Sequence, residues 1–294
     1  MLAKEMLKKI GFTNEMRECY NKYKAVFGDK CDSFAKAYMR EGKDFNEARA
    51  QMRELAPQVN VYTADMIFIL ECTGYAYEDY LAKNIDLEIF YDTMKDITYK
   101  VQECKTFKGV YGIFVPEWFK GFLRLERFGL GRLQYDLWEH REDTVMIGDF
   151  KVEKGFKTLA CHIPSSGPLT YEAVVDSFKR AYNFFQDRQK DGILLIECFT
   201  WLLFPEYSQI FKECAKNTYS FAQNFELYDI YYHEKFFDCW RIFNVDIDDC
   251  VIDDLPEDTR MQKGFKKYLK ENNKFGGARG CLLFDGENIL TRKE

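Results

Sequence analysis

The sequence predicts an α+β protein in which a helical first part precedes a part that mixes strands and helices. Over residues 34–55, apolar side chains recur every three or four positions until Pro57 ends the pattern, as expected for buried helix faces. From about residue 118 apolar and polar residues alternate instead, as at 133–137, which is typical of half-buried strands. We therefore predict a helical N-terminal domain at 1–118 and a second domain at 119–294.

The first elements of the second domain follow in order. Alternation predicts strands at 122–128 and 133–137, and apolar runs predict strands at 144–150 and 156–163. A helix with Thr170 as its N-cap comes next. Its apolar stripe recurs with helical spacing at Val174, Val175, Phe178, Ala181, Tyr182 and Phe185.

The remaining elements are predicted from similar patterns. The nearly continuous apolar run 193–203 predicts a central strand, because a strand buried on both faces has no polar side. Helical spacing returns at 205–225, two further strands are predicted at 228–233 and 238–243, and a short helix at 259–271.

Composition excludes several classes of protein. The 294 residues are 47% hydrophobic and 17% aromatic, with a formal net charge of −6. This is the composition of a folded globular protein, and the acidic balance disfavours binding to nucleic acid or anionic membranes. The first residues lack the apolar core of a signal peptide, and no apolar run approaches the roughly 20 residues of a membrane span. We expect a cytoplasmic protein with no nucleic-acid or membrane partner.

The cysteine pattern disfavours a metal site. Ten cysteines contain no C-x-x-C pair, and three histidines are too few to complete several sites. The acidic segment 246–258 lacks the glycine and terminal glutamate that a calcium-binding loop requires. We expect no metal, and thiols that are reduced and mostly buried.

Residues 156–185 form the most informative segment of the chain. They predict a strand, a loop of proline, serine and glycine at 164–169, and an amphipathic helix. A helix that begins directly after such a loop presents unpaired N–H groups and the positive end of its dipole, which together bind anions. The loop therefore predicts a phosphate site, with backbone donors at Ser165, Ser166, Gly167, Leu169 and Thr170.

Four stretches resemble a known family. They are 131–138 (GRLQYDLW), 162–178 (HIPSSGPLTYEAVVDSF), the C-x-x-WLL-x-P pattern at 198–205, and Asn217 with Phe221 and Phe225. In these stretches the chain resembles the GNAT-like C-terminal domain of a family of N-acyltransferases, and the helical first part resembles the N-terminal domain that accompanies it. The resemblance implies a central mixed, mostly antiparallel sheet flanked by helices.

The same resemblance implies an acyl-CoA-dependent N-acyltransferase. Acetyl-CoA or another acyl-CoA would be the co-substrate, and a small-molecule or peptide amine would be the acceptor. We expect a short acyl chain, because nothing in the sequence indicates a long apolar tunnel. A backbone N–H near Cys161 and Ile163, at the end of the strand before the loop, would polarise the thioester carbonyl.

Three side chains are candidates for acid–base catalysis. His162 ends the strand before the loop, and an ordinary imidazole suits a general base, although it could instead tie down the loop. Glu197 lies in an apolar strand, where a charge is costly unless it is paired or faces a cleft; a structural ion pair is the alternative. Glu126, on a predicted neighbouring strand, is a weaker candidate. Cys161 cannot pair with His162, because adjacent strand residues point to opposite faces.

A second hypothesis is a noncatalytic ligand- or partner-binding protein on a degenerate GNAT scaffold. Three departures from the family pattern favour it. The loop at 164–168 has one glycine and two prolines, Phe199 stands where family members tend to have histidine, and the tyrosine that commonly serves as general acid has no clear match.

Overall fold

A computed structural model describes residues 3–246, 248, 250–272 and 274–293. The backbone divides into two compact units, Met1–Leu130 and Gly131–Glu294. None of the helices in these ranges is long and apolar enough to span a membrane.

The first unit is helical, as the spacing of its apolar residues predicts. Asp44 shows how its helices begin: the carboxylate accepts hydrogen bonds from the N–H groups of Asn46 and Glu47 and so caps the fourth helix. The helices are α1 (Ala3–Lys9), α2 (Asn14–Phe27), α3 (Lys30–Arg40), α4 (Phe45–Glu54), α5 (Val61–Ala82), α6 (Leu87–Lys108) and α7 (Phe119–Leu123), and the unit ends on strand β1 (Arg127–Leu130).

The prediction of a strand at 122–128 is wrong in its first half, where the chain completes helix α7. Phe119, Phe122 and Leu123 are buried together on α7, so the apolar residues there follow a helical period of three to four. Leu125 has a positive φ of 56°, which ends the helix before β1 begins. A short run of apolar residues fits either period, and here the helix accounts for the burial.

The second unit is built around a sheet. Its strands are β2 (Leu133–Glu139), β3 (Val145–Ile147), β4 (Phe150–Val152), β5 (Lys157–His162), β6 (Leu194–Thr200), β7 (Glu226–His233) and β8 (Phe275–Phe284). Five of them follow one another in the order β2-β5-β6-β8-β7, while β3 and β4 form a separate hairpin. β5 and β6 are parallel and the other neighbours within this order are antiparallel. The sheet is therefore mixed and mostly antiparallel, as the family resemblance implied.

Helices connect and flank these strands. They are α8 (Tyr171–Phe184), α9 (Ser208–Cys214), α10 (Lys216–Ala222), α11 (Cys239–Phe243) and α12 (Arg260–Glu271). α8 follows β5 directly in the chain, as predicted, and its buried residues include Val174, Phe178 and Ala181.

Two predictions in this unit are wrong, and one strand was not predicted. The segment 144–150 is not one strand, because Gly148 adopts a φ of +55° and turns the chain between β3 and β4. The segment 238–243 is helix α11, whose buried residues Cys239, Ile242 and Phe243 have helical spacing. Strand β8 was not predicted, because its three glycines weaken the strand pattern.

The glycines of β8 are there for packing. A side chain on Gly276 or Gly277 would collide with Tyr231 on the neighbouring strand, and one on Gly280 would crowd Phe225. The glycines weaken the strand pattern in the sequence, and the same glycines leave the space that Tyr231 and Phe225 occupy against β8.

Candidate active site

The parallel strands β5 and β6 form the centre of the site. Their paired residues run from Leu159 and Ile196 to Cys161 and Cys198. Beyond the last pair, β5 gives way to the loop at 163–170 and β6 to a tight turn at Trp201–Leu203. The pair of strands therefore has an open end, and the predicted phosphate loop leaves from it.

Arg132 holds that loop in place. Its guanidinium donates to the carbonyl oxygens of Pro164 at 3.0 Å, Gly167 at 2.8 Å and Pro168 at 3.2 Å. Gly167 has a φ of +89°, a conformation in which a side chain is strained. Sequence reasoning missed Arg132, although it belongs to the 131–138 stretch that resembles the family.

The loop is followed directly by the N-terminus of α8. The hydroxyl oxygen of Thr170 accepts from the N–H of Ala173 at 3.3 Å, the N-cap predicted from the sequence. The N–H groups of the first helical turn have no acceptor within the helix itself. The N–H of Ser166 donates to Pro164 at 2.8 Å and is engaged within the loop.

A cavity of about 450 Å³ opens beside the loop. The cavity is lined by Arg132, Gly167, Pro168, Leu169 and residues 214–218. The lining includes two cations, Arg132 and Lys216, and no carboxylate. Positive charge, a helix N-terminus and open space meet here, so the residues present fit a phosphate-bearing ligand.

His162 is held by a carboxylate that the sequence did not reveal. Its Nε2 donates to Oδ2 of Asp136 at 2.9 Å. The β2–β5 register pairs Asp136 with Ala160, two residues before His162, which places both side chains on one face of the sheet. The histidine side chain is 26% exposed. An imidazole oriented by a carboxylate and open to solvent can take a proton from a bound group.

Glu197 is 1% exposed and lies within a polar network. Its carboxylate accepts from the hydroxyls of Tyr228 at 2.6 Å and Thr158 at 3.0 Å, and it lies 3.3 Å from Nδ1 of His140. Nε2 of His140 is 3.1 Å from the carbonyl oxygen of Asp143. This is the paired arrangement that a buried carboxylate requires. Burial, together with Glu197, raises the pKa of the Tyr228 hydroxyl.

A second cavity, of about 290 Å³, lies on the face of the sheet that Glu197 occupies. Its aromatic wall includes Trp138 and Phe199, whose ring centroids are 5.7 Å apart. The other lining residues are Arg141, Glu142, Glu197, Tyr228, Tyr231 and Arg279.

The remaining sequence candidates lie elsewhere. Cys161 is buried and its thiol interacts with Cys198, while burial raises its pKa well above the usual value. It faces away from His162, which bonds to Asp136, so the two do not form a dyad. Glu126 is exposed and precedes β1 in the first unit rather than lying on a strand, and its N–H donates to Gly121 at 2.9 Å. The described residues include no group of three or more histidine, cysteine or acidic side chains placed to hold a metal.

Comparison with known structures finds the same fold. An acyltransferase point mutant in complex with octanoyl-CoA matches with a TM-score of 0.70 and 17% identity, over 95% of this chain and 86% of that one. An acyltransferase in complex with decanoyl-CoA and teicoplanin matches with a TM-score of 0.69 and 16% identity over the same shares. A third, with CoA and 10C-teicoplanin, gives 0.70 and 16%, again over 95% and 86%. No curated protein matches the chain significantly.

Family profiles match both parts of the chain. Residues 1–125 match the N-acyltransferase N-terminal domain, and residues 128–282 match the GNAT-like C-terminal domain. The chain therefore belongs to the acyltransferase family that joins an N-acyltransferase N-terminal domain to a GNAT-like C-terminal domain.

Proposed function

We propose that this protein transfers an acyl group from acyl-CoA directly to an amine. The observation that carries the proposal is the open end of the parallel pair β5–β6, from which the loop at 163–170 leads into the N-terminus of α8. A thioester placed between the strand ends and a pyrophosphate placed at the helix would occupy one continuous path.

The phosphates of CoA would bind beside the loop. Arg132 fixes three of its carbonyl groups, and the lining of the 450 Å³ cavity adds Lys216. The N–H groups of Gly167, Leu169 and Thr170 and the first turn of α8 are the donors we assign to the phosphate oxygens. Ser165 is assigned to the same phosphate site from the sequence, and the N–H of Ser166 donates to the carbonyl oxygen of Pro164.

The acyl carbonyl would lie where β5 ends. A backbone N–H between Cys161 and Ile163 would donate to the thioester oxygen, on which negative charge develops as the amine attacks. The amine nitrogen forms the new bond to the acyl carbon, the carbon–sulfur bond breaks, and CoA leaves as the thiolate. No covalent intermediate on the protein is required.

His162 is the base we assign to the amine proton. Asp136 orients the ring through Nε2 at 2.9 Å, and positioned general bases of this kind contribute about 10²- to 10⁴-fold. Glu197 is already engaged by three side chains. We therefore assign Glu197 the positioning of Tyr228 and His140, and no direct contact with the amine.

The length of the acyl chain is open to direct measurement. The sequence favours acetyl or another short chain, whereas two of the compared structures hold octanoyl-CoA and decanoyl-CoA. Titration with acetyl-, butyryl-, octanoyl- and decanoyl-CoA would rank the four chains against free CoA.

The same calorimetric titration tests the site itself. Gly167 has open space around its Cα but a φ of +89°, so any side chain there strains the loop. Gly167→Gln therefore serves as the matched control for Gly167→Glu, since both share the strain and only the second adds a charge. We expect Gly167→Glu to lose at least tenfold more acyl-CoA affinity than Gly167→Gln. Equal affinities for the two variants would place the phosphates elsewhere.

A further inference from the structure

We infer that the 290 Å³ cavity between Trp138 and Arg279 is the acceptor subsite, and that it takes an amine bearing a carboxylate on an aromatic or apolar body, such as a short peptide. This inference rests on the proposed acyl transfer, because it takes His162 as the point where the amine reacts. Four observations lead to it: the position of the cavity, its charges, its walls and the order of its side chains.

The strand register puts the cavity beside His162. Cys161 pairs with Cys198, so the next residues on these parallel strands, His162 and Phe199, are neighbours at the open end. Phe199 in turn pairs with Arg279 on β8. Both Phe199 and Arg279 line the cavity. A ligand in the cavity would therefore reach the strand end where the thioester is proposed to lie.

Three of the four charged side chains that line the cavity have polar partners in the protein. Arg279 forms ion pairs with Glu142 and with Asp229, the latter at 3.5 Å. Glu197 is held by its own polar network. Arg141 has no carboxylate of the described residues within ion-pair distance. Arg141 is thus the charged group of the lining whose N–H groups can meet a ligand.

Arg141 is also presented in a way that suits a carboxylate. Its guanidinium lies over the ring of Trp138, 3.9 Å from the centroid. Stacking occupies the face of the guanidinium and leaves its N–H edge for planar, two-point hydrogen bonding. Beside it, Trp138, Phe199 and Tyr231 supply apolar walls that an aliphatic or aromatic body can contact.

The order of the side chains along the cavity indicates the kind of amine. Arg141 stacks on Trp138, and the Trp138 and Phe199 ring centroids are 5.7 Å apart. Phe199 is in turn the register neighbour of His162. A ligand whose carboxylate meets Arg141 would therefore lay its apolar body against these rings and direct its amine toward His162. A short peptide that carries an aromatic residue has all three groups.

A pair of matched acceptors tests this assignment. Glycylphenylalanine and its C-terminal amide have the same amine and the same ring, and differ only in the carboxylate. We expect acyl-CoA-dependent acylation of the acid to exceed that of the amide by about tenfold or more in kcat/KM, as the loss of a charged hydrogen bond implies. Arg141→Gln should bring the two acceptors to within about twofold.

Arg241 provides the control variant. Its guanidinium lies over Trp240 at 4.3 Å, much as Arg141 lies over Trp138, but it pairs with Asp238 and does not line the cavity. Arg241→Gln should keep the preference for the acid. Calorimetry of both peptides in the presence of free CoA gives a second readout that does not require turnover.

Each outcome separates this inference from the proposed acyl transfer. Turnover of acid and amide at equal rates, or a preference that survives Arg141→Gln, would overturn the inference and leave acyl transfer standing. Preferred acylation of phosphoethanolamine over glycylphenylalanine would overturn the carboxylate assignment. Arg141-dependent binding of the acid without turnover would support the subsite and count against acyl transfer.

Discussion

Nε2 of His162 lies 2.9 Å from Oδ2 of Asp136, across the antiparallel pair of strands β2 and β5. The carboxylate fixes the direction of the imidazole at the open end of the parallel strands. This contact orients the imidazole that we propose as the general base, and it is the first relationship that mutation can examine.

Asp136→Asn keeps the shape of the side chain and removes its charge. We expect kcat for acyl transfer to fall by about 10- to 100-fold, because the ring loses the carboxylate that orients it. Acyl-CoA affinity measured by calorimetry should stay within about twofold, since Asp136 is outside the phosphate cavity. An unchanged kcat would show that His162 is not the base.

Arg132 can be tested separately for charge and for geometry. Arg132→Lys retains a positive charge but cannot reach three carbonyls at once as a guanidinium does. We expect both Arg132→Lys and Arg132→Gln to weaken acyl-CoA binding by about tenfold, because the loop loses its fixed shape. If Arg132→Lys binds as tightly as the natural protein, charge alone is what the cavity needs.

Glu197 is expected to contribute more to stability than to chemistry. Glu197→Gln replaces an acceptor of two hydroxyl hydrogen bonds and a histidine contact with an amide that matches only part of them. Urea unfolding should show a loss of about 1–3 kcal/mol. Glu139→Gln, at the exposed end of β2, is the control and should stay within about 0.5 kcal/mol. Equal stability of the two variants would contradict the assignment.

Asp65 should make the stability of the first unit depend on pH. It is buried on α5 against Arg49 and Arg53, at 3.3 and 3.4 Å. Burial raises the pKa of its carboxyl to about 6, because desolvation outweighs the attraction of the two arginines. The folded protein thus retains a proton that the unfolded chain loses at lower pH. Stability should fall as pH rises from about 4 to about 6, and then level off.

Asp65→Asn removes this titration. Relative to the natural protein, the variant should gain about 2–3 kcal/mol in unfolding free energy between pH 4 and pH 7, at about 1.4 kcal/mol for each unit of raised pKa. Urea unfolding at both pH values gives the comparison. A stability difference that is the same at the two pH values would mean that Asp65 has an ordinary pKa.

The sequence predicts the parts of this fold whose pattern is local. The loop at 164–169, the N-cap Thr170 and the helix that follows are all encoded within one short segment. The sequence singles out Glu197, because a charge in an apolar strand must be paired or exposed, and the structure shows it paired. Its partners Thr158, His140 and Tyr228 come from other strands and loops, and no spacing reveals them.

The parts that were missed depend on contacts distant in sequence. Asp136 becomes the partner of His162 only through the register of β2 against β5. Strand β8 was not predicted because its glycines are atypical of a strand. The reason for these glycines is the packing of Tyr231 and Phe225 against them, which the sequence does not show. Cys239, Ile242 and Phe243 fit a helix or a strand over so short a run, and burial decides in favour of the helix.

Release of free CoA thiol in the presence and absence of an amine is the measurement that tests acyl transfer most directly. With glycylphenylalanine as acceptor, we predict thiol release in equal amount to acylated peptide identified by mass, and a fall of about 10²- to 10⁴-fold in His162→Gln. Thiol release that proceeds equally without the amine, or no release from any acyl-CoA that binds, would contradict the account.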